Sequence, residues 1–79
     1  MTGSVVAVDL GGSSGRVVLG RVGPRELSLQ IVSRFPNRPV HLIDGLHWNV
    51  LELYRNVQLG LETALRGAPD VCGVAVDSW

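Results

Sequence analysis

The sequence predicts an α/β fold: a mixed sheet whose first three strands run antiparallel, one amphipathic helix, and a fourth strand parallel to the first. Three observations predict it. Apolar runs rich in β-branched residues recur at 5–10, 16–22 and 71–77, as strands require. An apolar stripe at helical spacing lies between Asn49 and Gly67, with a cap at each end. A strand that directly follows a helix returns by a right-handed crossover, which sets it parallel to the strand beside it.

The first strand, about 4–10, contains Val5-Val-Ala-Val-Asp-Leu10. This run is apolar throughout and reads as buried on both faces. Gly11 to Gly15 break it, and the second strand, about 16–22, follows as the other arm of a hairpin. Gly23-Pro24 supplies the next turn. The third strand, about 26–35, alternates, with Leu27, Leu29 and Ile31 on a half-buried face. Pro36 and Pro39 end it, and 36–47 reads as a loop carrying both histidines.

The helix, about 50–66, begins at Asn49, an N-cap, with Glu52 at the capping-box position. Val50, Leu53, Tyr54, Val57, Leu61, Ala64 and Leu65 form its stripe. Arg66 suits the negative end of the dipole, and Gly67 with Pro69 ends the helix. Gly60 in the interior costs about 1 kcal/mol relative to Ala, so its place implies a close packing partner. The last strand, about 71–77, again reads as apolar on both faces and brings Asp77 beside Asp9 at the carboxyl end of the sheet. Ligands in α/β sheets bind at that end.

A chain of 79 residues holds one small core. Seven cationic residues, all Arg, balance seven carboxylates, so there is no basic footprint for nucleic acid. No run is long enough to span a bilayer and no basic leader precedes the first strand; the expectation is a soluble cytoplasmic protein. Cys72, the only cysteine, reads as a small buried hydrophobe. The end at Trp79, straight after a buried-type strand, reads as an incomplete domain whose sheet awaits the remainder of its own chain.

The chemistry concentrates in Asp9-Leu-Gly-Gly-Ser-Ser-Gly-Arg16. A glycine-rich turn after a strand lets backbone N–H groups converge on an anion. Ser13 and Ser14 add hydroxyls, and Arg16 adds a charge-assisted donor. The turn leads into a strand and has no Gly-Lys-Ser/Thr, so it is not a Walker loop; it also lacks the dinucleotide fingerprint. Asp9 in an apolar run either orients Mg²⁺ through water beside a phosphate or starts a turn.

This segment resembles the first phosphate motif of the actin-like ATPase superfamily, and its Ser-Ser-Gly-Arg ending resembles the rhamnulokinase branch of the FGGY carbohydrate kinases. Arg34-Phe-Pro-Asn37, His47-Trp-Asn49 and Asp77-Ser-Trp79 are similar, in order, to further motifs of that branch. The departures are Gly12 for Ala, Asn49 for Asp and Ser78 for Thr. The resemblance implies a ribonuclease-H-like fold and residues 1–79 as the incomplete N-terminal part of a kinase domain. It implies ATP and Mg²⁺ as cofactors and transfer of phosphate to L-rhamnulose, a ketose, giving L-rhamnulose 1-phosphate. Gly12, Ser13, Ser14, Gly15 and Arg16 would bind ATP, Asp9 would position Mg²⁺, and Asp77 and Trp79 would border the sugar pocket. The family's catalytic Asp lies further along than this chain reaches. Rival readings are another FGGY kinase, acting on fuculose or xylulose, a non-catalytic actin-like nucleotide switch, and a stand-alone interaction module.

His41, His47 and Asp44 match no metal-ligand spacing and read as solvated. Trp48 reads as a staple packed on the core. Arg34 and Arg38 read as solvated charges.

Overall fold

The computed structural model describes residues 3–79; Met1 and Thr2, where the leaderless start is read, lie outside the described residues. Strands β1 (Gly3–Leu10), β2 (Ser14–Gly23) and β3 (Glu26–Pro36) come first, followed by two short strands, β4 (Val40–Leu42) and β5 (Gly45–His47). Helix α1 (Val50–Gly67) and strand β6 (Val71–Ser78) complete the chain. The main sheet has the order β3-β2-β1-β6. β1 pairs antiparallel with β2, β2 antiparallel with β3, and β1 parallel with β6.

The mixed sheet and its parallel crossover are as expected, but the element order is not. The segment 36–47, read as a loop, folds into a β4–β5 hairpin. Its tight turn turns on Gly45 at φ +130°, a value that L side chains rarely adopt. The proline signals at 36 and 39 end β3 and hide the two three-residue strands that lie between Pro39 and the helix.

Helix α1 starts where the capping chemistry puts it, with Asn49 Oδ1 accepting from the Glu52 amide at 3.3 Å. The reciprocal half of the capping box is not formed, because the Glu52 carboxylate accepts from Asn56 instead. Asn49→Ala is expected to cost about 1 kcal/mol of stability, measured as a fall in the urea midpoint. An unchanged midpoint would show that the cap is replaced by water.

The core lies between the helix and one face of the sheet. Val6 and Val8 of β1, Val17 and Leu19 of β2, and Phe35 of β3 meet Leu53 and Ala64 of α1. The approach is closest at Gly60, where an added Cβ would stand 2.5 Å from Val17 Cγ2 and 3.3 Å from Ser33 Cβ. The close partner implied by a glycine inside the helix is therefore β2, with β3 beside it. Within the expected stripe, Val57 and Leu61 pack against the core, whereas Val50, Tyr54 and Leu65 remain exposed.

Three burial expectations are corrected. β1 is buried on one face only: Val6 and Val8 are covered, but Val5 and Ala7 face outward. β6 is exposed along nearly all its length, Cys72 included. The cause is that one helix covers the β1–β3 part of one face, and no described element covers the other. Leu27, Leu29 and Ile31 share that open face through their pairing with Val22, Gly20 and Val18, and Leu29 is 71% exposed rather than half-buried. Alternation in β3 thus reports which residues share a face, not that the face is covered. No helix of the described residues is long and apolar enough to cross a membrane.

Candidate functional site

The β1–β2 turn closes at the carboxyl end of β1, with Leu10 opposite Gly15 and Asp9 opposite Arg16. Its backbone is held from several directions. Gly11 N–H donates to Ser14 O at 2.9 Å, and Trp79 N–H donates to Leu10 O at 3.1 Å. Asn37, just past β3, makes two further bonds: its amide N–H donates to Ser13 O at 2.9 Å, and its side-chain Nδ2 donates to Gly11 O at 2.8 Å. The carbonyls of 10, 11, 13 and 14 are therefore all engaged. Among the described residues nothing accepts from the amides of Gly12 and Ser13. A turn with occupied carbonyls and free N–H groups presents positive potential, which an anion can accept.

Glycine is needed at two points of this turn for space rather than for φ: a Cβ on Gly11 would stand 2.8 Å from Ser14 O. A Cβ on Gly15 would enter the ring of Phe35, whereas a Cβ on Gly12 meets nothing within 4 Å. Gly12 and Ser13 are exposed, Ser14 and Arg16 are half-buried, and Gly15 is buried.

Charge lies in a row across the sheet. Arg34 is the partner of Arg16, Arg16 of Asp9, and Asp9 of Asp77. Arg16 Nη2 donates to Asp9 Oδ2 at 2.6 Å, each side chain a little over two-fifths exposed. Asp9 is thus not the isolated carboxylate that its apolar neighbours suggest; the hairpin register supplies its counter-ion. Arg16 in turn is engaged by Asp9 instead of extending freely over the turn.

Asp77 is exposed near the end of β6, and its Oδ1 accepts from the adjacent Ser78 N–H at 3.0 Å. Like charges on neighbouring strands repel, and Arg16 pairs with Asp9 alone, so two adjacent carboxylates with one counter-ion between them fit a divalent cation. Among the described residues no cluster of three or more His, Cys, Asp or Glu side chains could cage a metal. The chemistry fits Mg²⁺, which is held by one or two carboxylates with waters and phosphate completing its shell.

Trp48 and Trp79 lie together, ring centroids 4.6 Å apart and planes inclined at 56°. Both are about half exposed, so Trp48 packs on another surface ring and not, as a staple would, on the core. His47 Nε2 lies 2.7 Å from Asp44 Oδ1 within the β4–β5 hairpin, away from any third ligand, and His41 is exposed. Arg34 and Arg38 are exposed as well.

The residues that sequence reasoning overlooked are Phe35 and Asn37. Both belong to the Arg34-Phe-Pro-Asn37 segment, but no local signal tells that its ring and amide reach back across β2 to the turn.

No protein-family profile matches the chain. Curated proteins do. It is 33% identical over 73 residues to the rhamnulokinase of Bacteroides thetaiotaomicron, 31% over 74 to that of Oceanobacillus iheyensis, and 40% over 80 to that of Pectobacterium atrosepticum. These matches cover 92%, 94% and 96% of this chain but only 15–16% of the relatives, so the chain spans about a sixth of their length. Along more than nine-tenths of its own length, this is a rhamnulokinase-like sequence.

Proposed function

We propose that the chain is the phosphate-binding segment of an ATP-dependent sugar kinase that transfers phosphate to L-rhamnulose, giving L-rhamnulose 1-phosphate. One observation carries the reading: at the end of β1 the carbonyls of 10, 11, 13 and 14 are tied off and the amides of Gly12 and Ser13 are free. The likeness to rhamnulokinases supports the choice of sugar.

In this reading Gly12, Ser13, Ser14 and Gly15 cradle ATP phosphates. Arg16 exchanges its bond to Asp9 for one to a phosphate oxygen, a strong charge-assisted contact. Asp9, released, orients Mg²⁺ through water, with Asp77 alongside. Mg²⁺ supplies charge neutralisation on the transferring phosphoryl group. Trp79 and Asp77 border the sugar. None of these groups is assigned the proton abstraction from the sugar hydroxyl, which is left to the rest of the protein.

Two measurements test this. Titration of the ¹⁵N-labelled chain with MgATP is expected to move the amide resonances of Gly12 to Arg16 first; unmoved turn resonances at millimolar MgATP would remove the reading. The purified 79-residue chain is expected to form no L-rhamnulose 1-phosphate from MgATP and L-rhamnulose. Steady turnover would show that the base lies within these residues.

A further inference from the structure

We propose that Asn37 is a positioning residue that holds the β1–β2 turn in its anion-accepting shape. The inference rests on reading that turn as the phosphate cradle. Asn37 lies outside the turn in sequence, yet it makes two of the bonds that tie off the turn's carbonyls: backbone N–H to Ser13 O at 2.9 Å and Nδ2 to Gly11 O at 2.8 Å. Carbonyls at 11 and 13 bracket Gly12. If either swung outward, its oxygen would oppose an incoming phosphate, and the amide sharing its peptide plane, Gly12 N–H for carbonyl 11 and Ser14 N–H for carbonyl 13, would turn away with it.

The other end of the same side chain makes the functional assignment. Asn37 is 4% exposed, and its Oδ1 is buried with no hydrogen-bond partner among the described residues. A buried acceptor left unpaired is unfavourable, by an amount comparable to what a bond to Nδ2 contributes. The amide group as a whole therefore adds little net stability while fixing the geometry of Gly11 to Ser13. An apolar side chain of similar size would serve packing at least as well. A residue that is nearly neutral for stability but decisive for the shape of a binding turn is a positioning residue.

The test separates shape from stability. Asn37→Leu keeps the backbone bond to Ser13 and removes both the Nδ2 donor and the orphaned oxygen; Asn37→Ala is the smaller companion should leucine not fit. In the full chain without nucleotide, the Gly11 amide keeps its bond to Ser14 O, but its hydrogen exchange is expected to quicken about tenfold because the turn opens more readily once the bond to Gly11 O is gone. Exchange at Val6 and Val17, in the strand centres, is expected to stay as in the wild type. MgATP affinity, read by isothermal titration, is expected to fall about tenfold while the urea midpoint moves little.

Unchanged exchange at Gly11, or wild-type affinity in both variants, overturns the role of Asn37. So does faster exchange spread evenly over β1–β3, which would make Asn37 an ordinary stabilising residue. Failure of the wild-type chain to bind MgATP or inorganic phosphate overturns the cradle reading itself, and this proposal with it. That outcome is distinct because it appears before any substitution is made.

Discussion

Gly60→Val is expected to abolish or severely weaken the cooperative unfolding transition of this chain. A Cβ at 60 would stand 2.5 Å from Val17 Cγ2 and 3.0 Å from Val17 Cβ, and valine adds two methyls beyond it. Val17 is fully buried between Val6, Val8 and the helix, so it cannot rotate aside into open space. The helix must lift from the sheet instead, which separates Leu53 and Ala64 from Phe35 and the strand valines.

Overpacking of this kind costs about 1–3 kcal/mol, and a valine at this site stands at the upper end because the clash is with the Cγ2 and Cβ of a buried β-branched side chain, which is stiff at χ1. A single core in a chain of this size supplies only about 3–5 kcal/mol, so one substitution consumes most of it. Gly60→Ala is the milder control. It gains about 1 kcal/mol of helix propensity, which partly offsets its clash. Urea denaturation followed by helix circular dichroism measures both. A Gly60→Val chain as stable as the wild type would mean that the helix does not dock on Val17.

The second large effect separates two glycines of the same turn. Gly15→Ala is expected to destabilise the chain by about 1–3 kcal/mol and to weaken MgATP binding, since its methyl would enter the ring of Phe35. Phe35 is 5% exposed and belongs to the core, so its displacement also moves the end of β3 that carries Asn37. Gly12→Ala is expected to do neither. Its Cβ meets nothing within 4 Å and the residue has no positive φ. Restricting the unfolded chain there stabilises by about 0.4–1 kcal/mol. Thermal melts of the two variants, with MgATP titrations, read both halves; equal effects at 12 and 15 would contradict the packing of Phe35 under the turn.

Much of the fold was legible because its signals are local. Asn49 and Glu52 mark the helix start through bonds spanning three residues, and Gly67-Ala-Pro69 marks its end. The β1–β2 hairpin follows from two apolar runs about a short Gly/Ser break. The parallel placement of β6 fits the helical connection before it, which is long enough to carry the chain back to the starting end of the sheet. The β4–β5 hairpin was not legible: each strand has three residues, too few to show a period, and Pro36 and Pro39 dominate the local pattern.

For the site, the division is different. Gly12 to Arg16, Asp9 and Asp77 stand out in the sequence because phosphate turns and strand-end carboxylates have a local pattern. How these groups are held does not. The ion pair between Arg16 and Asp9 depends on hairpin register. The adjacency of Asp9 and Asp77 depends on a parallel pairing between residues 68 positions apart. The clamp by Asn37 spans 26 positions. The sequence alone therefore determined the four strands of the main sheet, the helix and its N-cap, and the residue types of the turn, all set by backbone preference and spacing over a few residues. Only the tertiary structure decided which faces are covered, which carboxylate has a counter-ion and which side chain shapes the turn. Those outcomes depend on contacts between strands distant in the chain, and a sequence pattern carries no distance.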